Sequence, residues 1–223
     1  MKKYQSFMAA VATFILISLA CQAASLPSVS DPSGNQTPAI KVLFQDDFSK
    51  TSSGWSTYSD ADGENGYKNG SYHILINKPD MYAWSVPGIN LTDVAIEVDI
   101  QKKEGPEENE YGVICRYQDE NNFYFLTVSS DKYFGVSKLV DGNMELIGMD
   151  QLQYKEAAIH GGANSNHLRV ECVGDRLTLS ANGQLLADVR DSSFQSGDVG
   201  LIAMTSETAP LDIYYDNFSV TRP

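Results

Sequence analysis

HLRVECVGDRLTLSANGQLLADVRDSSFQSGDVGLIAM, residues 167–204, opens as a half-buried strand. Leu168, Val170 and Cys172 alternate with Arg169, Glu171 and Val173. Successive side chains leave a strand on opposite sides, so a period of two marks one buried face. Gly174-Asp175 interrupts the pattern, and Leu177 and Leu179 then alternate with Thr178 and Ser180. Asn182-Gly183 predicts a two-residue type I′ hairpin, whose central positions both need positive φ, with residues 185–189 returning as the partner strand. After a Ser/Gln/Gly loop, residues 197–203 read as one more strand. The stretch predicts an antiparallel meander and carries no chemistry of its own.

The pattern extends outward. Val94, Ile96, Val98 and Ile100 alternate with Ala95, Glu97, Asp99 and Gln101. Residues 42–48, 73–77, 81–86, 111–117, 123–129, 133–140, 144–149 and 211–222 read as further short strands. Residues 152–162 are the least strand-like and are expected to hold a short helical turn. Many short strands, regular turn signals and no long helical period predict an all-β jelly-roll sandwich of two antiparallel sheets. Asp46-Asp47-Phe48 and Asp216-Asn217-Phe218 are alike, and the first and last strands are expected to pair.

The N-terminal part reads differently. Lys2 and Lys3, an apolar run over residues 7–19 and Ser18-Leu19-Ala20 before Cys21 form an export signal of lipoprotein type over residues 1–20. The run is too short to span a bilayer as a stable helix. Cys21 is the expected lipidation site; Ser18 stands where such motifs usually carry Leu, and cleavage after Ala23 without a lipid is the alternative. Residues 21–40, rich in Ser, Pro, Ala, Gln and Thr, read as a flexible tether. Residues 41–223 have the size of one sandwich domain. The expected location is extracytoplasmic, held at a membrane through Cys21, at the cell surface or in the periplasm.

The chain carries a formal net charge of −13. Such a surface repels nucleic acid and anionic headgroups and excludes a nucleic-acid partner. Cys115 and Cys172 both sit in strand patterns of a chain read as exported, so a disulfide between them is predicted, with two separate buried thiols as the alternative. His73, His160 and His167 are too dispersed to suggest zinc.

The pattern Asp46-Asp47-Phe48, Gly54-Trp55, residues 94–99 (VAIEVD), residues 112–117 (GVICRY), Asn122-Phe123-Tyr124, Asn182-Gly183, residues 197–201 (GDVGL) and Asp216-Asn217-Phe218 resembles the concanavalin A-like (laminin G-like) jelly roll. It is similar above all to the bacterial domain known as 3-keto-disaccharide hydrolase, related in fold to family 16 glycosidases. The resemblance spans nearly all of residues 41–223. It implies the fold, and it says little about activity, because one fold hosts lectins, glycosidases and adhesion modules alike.

Family 16 glycosidases carry three carboxylates on one strand, two of which act as nucleophile and acid/base about 5 Å apart. Glu97-Val98-Asp99 matches the first half of that pattern, but Gln101 and Lys102 stand where the last carboxylate belongs. Glu97 and Asp99 are therefore catalytic candidates only if the protein is an enzyme; otherwise they lie on a solvated or groove-lining face and bind sugar hydroxyls. Aromatic rings are the usual sugar platform, and Tyr82, Trp84, Tyr111, Tyr117 and Tyr124 are expected either to line a concave sheet or to fill the core. Tyr82 with Trp84 is the best pair, and Arg116 is expected to offer planar hydrogen bonds to a ligand. A structural calcium ion is expected at Asp46, Asp47 and Asp216, where jelly-roll carbohydrate modules hold one, or in the loop of Asp60, Asp62 and Glu64. Three functions remain open: a lipid-anchored, non-catalytic carbohydrate-binding or adhesion module for a glycan or cell-surface polysaccharide; a glycoside-active hydrolase of the 3-keto-disaccharide type; and a structural envelope lipoprotein with protein partners.

Overall fold

The computed structural model describes residues 41–223. The export signal, the tether and Cys21 lie outside the described residues. Among the described residues there are sixteen strands and no helix. They are β1 (Val42–Asp46), β2 (Tyr58–Ser59), β3 (Gly63–Lys68), β4 (Ser71–Ile76), β5 (Tyr82–Ser85), β6 (Val94–Glu104), β7 (Glu110–Asp119) and β8 (Asn122–Ser129). The rest are β9 (Tyr133–Val140), β10 (Asn143–Leu146), β11 (Gln153–Tyr154), β12 (Asn166–Val173), β13 (Arg176–Ala181), β14 (Gln184–Arg190), β15 (Asp198–Met204) and β16 (Leu211–Thr221).

They form two antiparallel sheets, the expected jelly-roll sandwich. The nine-stranded sheet runs β14-β13-β12-β6-β16-β4-β3-β2, with β1 also on β16. The seven-stranded sheet runs β10-β9-β8-β7-β15-β5, with β11 also on β9. First and last strands pair as expected, Phe44 opposite Val220 and Asp46 opposite Phe218. The Asn182-Gly183 hairpin forms between β13 and β14, with φ of 51° and 79° at its two central residues. Residues 152–162 do not form the expected helical turn. They give the two-residue β11 and a turn closed by one weak bond from the Ala158 N–H to the Lys155 carbonyl (3.4 Å). Pairing of Tyr154 with Tyr133 and burial of Ala158 and Ile159 override the helical propensity of the Lys-Glu-Ala-Ala run.

The core lies between the sheets. Val94, Ile96, Val98 and Ile100 from β6 and Leu168, Val170 and Cys172 from β12 meet Val113, Cys115, Leu126 and Leu201 of the other sheet. Cys115 and Cys172 form a disulfide that ties β7 to β12 across the two layers. At the end where β1 meets β16, Trp55 packs edge-on against Phe48 (5.4 Å) and Phe218 (5.0 Å). Its indole N–H donates to Asp46 Oδ2 at 2.9 Å, which ties the two Asp-rich motifs into one structural knot.

Candidate carbohydrate-binding face

The seven-stranded sheet is apolar on both sides. Its outer side carries a second cluster of Ile114, Phe123, Phe125, Leu139 and Ile202, with Tyr82, Trp84, Tyr117 and Met204 packed against it. Register explains the grouping. Tyr82, Met204, Glu110 and Ser129 lie side by side across β5, β15, β7 and β8, and Trp84, Ile202, Gly112 and Thr127 form the adjacent row. Directly paired residues of neighbouring strands share a face. Gly112 leaves the centre of its row without a side chain; a Cβ there would come within 2.0 Å of the Leu126 carbonyl oxygen, so the close strand approach demands glycine.

The aromatic side chains form a continuous surface. Tyr82 and Trp84 stack at 5.7 Å with a 28° interplanar angle. Trp84 reaches Phe123 at 6.1 Å and Tyr117 at 6.5 Å, and Tyr117 meets Phe123 at 5.4 Å. Tyr82, Trp84 and Tyr117 are half-buried, while Phe123 beneath them is buried. Three of the ligand residues expected from the sequence thus converge. Rings with one face anchored and the other reachable suit the apolar faces of sugar rings.

Glu110 was not foreseen. It opens β7 directly after a charged loop and looks like part of it. In the fold its carboxylate accepts a hydrogen bond from Thr127 Oγ1 at 2.5 Å on the same face as Tyr82 and Trp84. Burial pushes the carboxyl above the usual range against the pull of the Thr127 bond, and the negative charge of Asp131 adds to the rise. The sequence signal was present: Glu110, Gly112 and Ile114 alternate against Tyr111, Val113 and Cys115.

The other expected residues lie elsewhere. Glu97 and Asp99 stand on the outer face of the nine-stranded sheet, on the opposite broadside from Trp84. Glu97 pairs with Arg169, and Asp99 takes His167 Nδ1 at 2.8 Å and a hydrogen bond from Asn217 Nδ2 at 2.8 Å. They belong to a charged ladder rather than to the aromatic face. Arg116 is no ligand contact. It sits at a bulge of β7 with φ 56°, is 1% exposed, and donates from Nη1 to the Gly174 and Phe194 carbonyls at 2.7 and 2.8 Å. The left-handed kink breaks the alternation that would have sent it outward. Tyr111 and Tyr124 are buried on the core side.

The acids proposed for calcium do not converge either. Asp46 accepts the Phe48 N–H on Oδ1 and the Trp55 indole on Oδ2, and Asp47 accepts from Ser49. Asp216 lines a separate cleft with Asp99, Lys103 and Tyr214. In the acidic loop, Asp60 Oδ1 takes the N–H groups of Asp62 and Gly63, Asp62 pairs with Lys78, and Glu64 lies by His73. Among the described residues no three His, Cys, Asp or Glu side chains are grouped to hold a metal ion.

No family model matches the chain. No curated protein matches it in sequence. Solved structures resemble it in fold. A carbohydrate-binding module, CBM66 from Bacillus subtilis, aligns with TM-score 0.60 and 20% identity over 76% of this chain and 96% of its own. A protein of unknown function with a galectin-like fold, also from Bacillus subtilis, aligns with TM-score 0.60 and 13% identity over 82% and 96%. The catalytic domain of an endo-1,3-beta-glucanase (laminarinase) from Thermotoga petrophila RKU-1 aligns with TM-score 0.57 and 9% identity over 82% and 98%. The fold is the jelly roll used by both sugar-binding and glycoside-cleaving domains.

Proposed function

We propose that residues 41–223 form a non-catalytic carbohydrate-binding module, exported and lipid-anchored through Cys21, that holds a neutral glycan on the outer face of its seven-stranded sheet. The observation that carries the reading is the stacked Tyr82–Trp84 pair, continued by Tyr117 over a buried apolar floor. The fold of the carbohydrate-binding module CBM66 supports it. The pairing of Glu97 with Arg169 and of Asp99 with His167, away from the aromatic face, argues against the carboxylate set that a family 16 mechanism would use.

Calorimetric titration against a panel of neutral polysaccharides tests the module. Binding is expected for at least one, and Trp84→Ala is expected to weaken it by about 2 kcal/mol, roughly thirtyfold, as for a central aromatic anchor. Silence across the panel, or unchanged affinity in Trp84→Ala, would sink the reading. Anchoring is checked separately: the wild type is expected in the membrane fraction and Cys21→Ser in the soluble one, and identical partition removes the lipid.

A further inference from the structure

We infer that the aromatic face carries a second platform, Tyr133 with Tyr154, and that the ligand is an extended glycan chain crossing the strands from Tyr82 past Glu110 to this pair. The inference rests on the proposed sugar-binding role of the face and adds the ligand's length and direction.

Register carries it. The row of Tyr82, Met204, Glu110 and Ser129 continues into β9, where the Tyr133 N–H donates to Ser129 Oγ at 3.2 Å. Tyr133 alternates with Phe134, which points into the core, so its own side chain lies on the outer side. Tyr154 of β11 pairs directly with Tyr133 and shares that side. The two rings meet edge to face at 5.3 Å. They are 40% and 52% exposed, which places them among the most exposed large hydrophobic residues of the domain. Neither ring belongs to either apolar cluster; the Tyr154 hydroxyl is held by Glu156, which also pairs with Lys132, and the ring faces stay exposed.

Spacing and direction follow. Four strand-to-strand steps separate β5 from β9, which is about 19 Å at about 4.8 Å per step. One sugar ring cannot touch both platforms; a chain of several can. The adjacent row ends differently. A Cβ at Gly135 would lie 2.6 Å from Leu152 Cδ2, so Leu152 closes the line that runs from Trp84 through Gly112. The other row leads along half-buried Glu110, over buried Ser129, to exposed Tyr133. Glu110 at its middle, held in place by the buried Thr127 hydroxyl, offers a carboxyl to the hydroxyl groups of a sugar between the platforms.

The test uses β-1,3- and β-1,4-linked gluco-oligosaccharides and xylo-oligosaccharides from disaccharide to hexasaccharide, titrated into the intact protein. Affinity is expected to rise at least about tenfold between trisaccharide and hexasaccharide in the series that binds. The double variant Tyr133→Ala/Tyr154→Ala is expected to erase that gain and leave trisaccharide affinity unchanged, while Trp84→Ala weakens both. Both tyrosines are exposed, so the variant keeps its fold; an unchanged melting temperature checks this. Trp84-dependent binding that is equal for trisaccharide and hexasaccharide overturns the second platform and leaves the module standing. A double variant that retains the full length dependence also overturns it. No binding by any member of the three series removes the second platform for these glycans, and the module itself falls if the polysaccharide panel is silent too.

Discussion

Asp191 accepts hydrogen bonds from the Tyr124 hydroxyl (2.6 Å), the Lys138 ammonium (2.8 Å) and the Ser193 N–H (2.8 Å). Burial alone would raise its carboxyl, but the three donors outweigh burial and hold it well below the usual carboxylate range. A depressed folded value means that the ionised bonds stabilise the fold above the unfolded value of about 3.9 and are lost as pH falls toward the folded one. Asp191→Asn is therefore expected to cost about 2 kcal/mol at pH 7 and progressively less below pH ~3.9, read from urea midpoints. An equal cost at pH 7 and pH 3 would show that the ionised bonds are not the cause. Glu110 has the opposite sign. Its raised folded value means that stability is full below the unfolded value of about 4.3 and falls as pH rises. Glu110→Gln is expected to be more stable than wild type at pH 8 and equal to it near pH 4; a destabilised variant at pH 8 would contradict the burial argument. At this scale the sequence was partly legible. Tyr82 and Trp84 could be named because a plain strand period fixes their common side. The same period puts Tyr117 with Val113 and Cys115 on the core side, and only the bulge at Arg116 turns it to the outer face. Arg116 could not, because one left-handed residue at a bulge reverses the period, and nothing in its neighbours announces the kink.

Hairpins were the most legible elements. Asn182-Gly183 accepts positive φ locally, so no distant contact is needed to set the turn. The short β2 and β11 were not legible, since two residues carry no period and form only because a longer neighbour offers an edge. The disulfide belongs to this scale because it joins one strand of each sheet. Cys115 and Cys172 are 57 residues apart in sequence. Closing a loop of that length restricts the unfolded chain by about 4 kcal/mol in the chain-entropy estimate. Cys115→Ala/Cys172→Ala, or the wild type under reductant, is expected to lose roughly that much stability by chemical unfolding. An unchanged midpoint after full reduction would mean that the packing of β7 on β12 alone clamps the layers.

For the whole molecule, the sequence could show that there were two sheets but not which strand joins which. β6 and β7 are consecutive and equally apolar, yet they lie in different layers. That assignment decides the site, because it sends Glu97 and Asp99 to one broadside and Tyr82, Trp84 and Tyr117 to the other. The outer face of the nine-stranded sheet is laced with ion pairs, Arg169 with Glu97 and Glu171 and Arg176 with Asp188. Such exposed pairs add little to stability and keep that side wet. One broadside of the described domain is therefore apolar and aromatic, and the other is charged. Under the proposed function, a domain built this way would coat a glycan surface in a single layer and would not use its charged broadside to draw two such surfaces together.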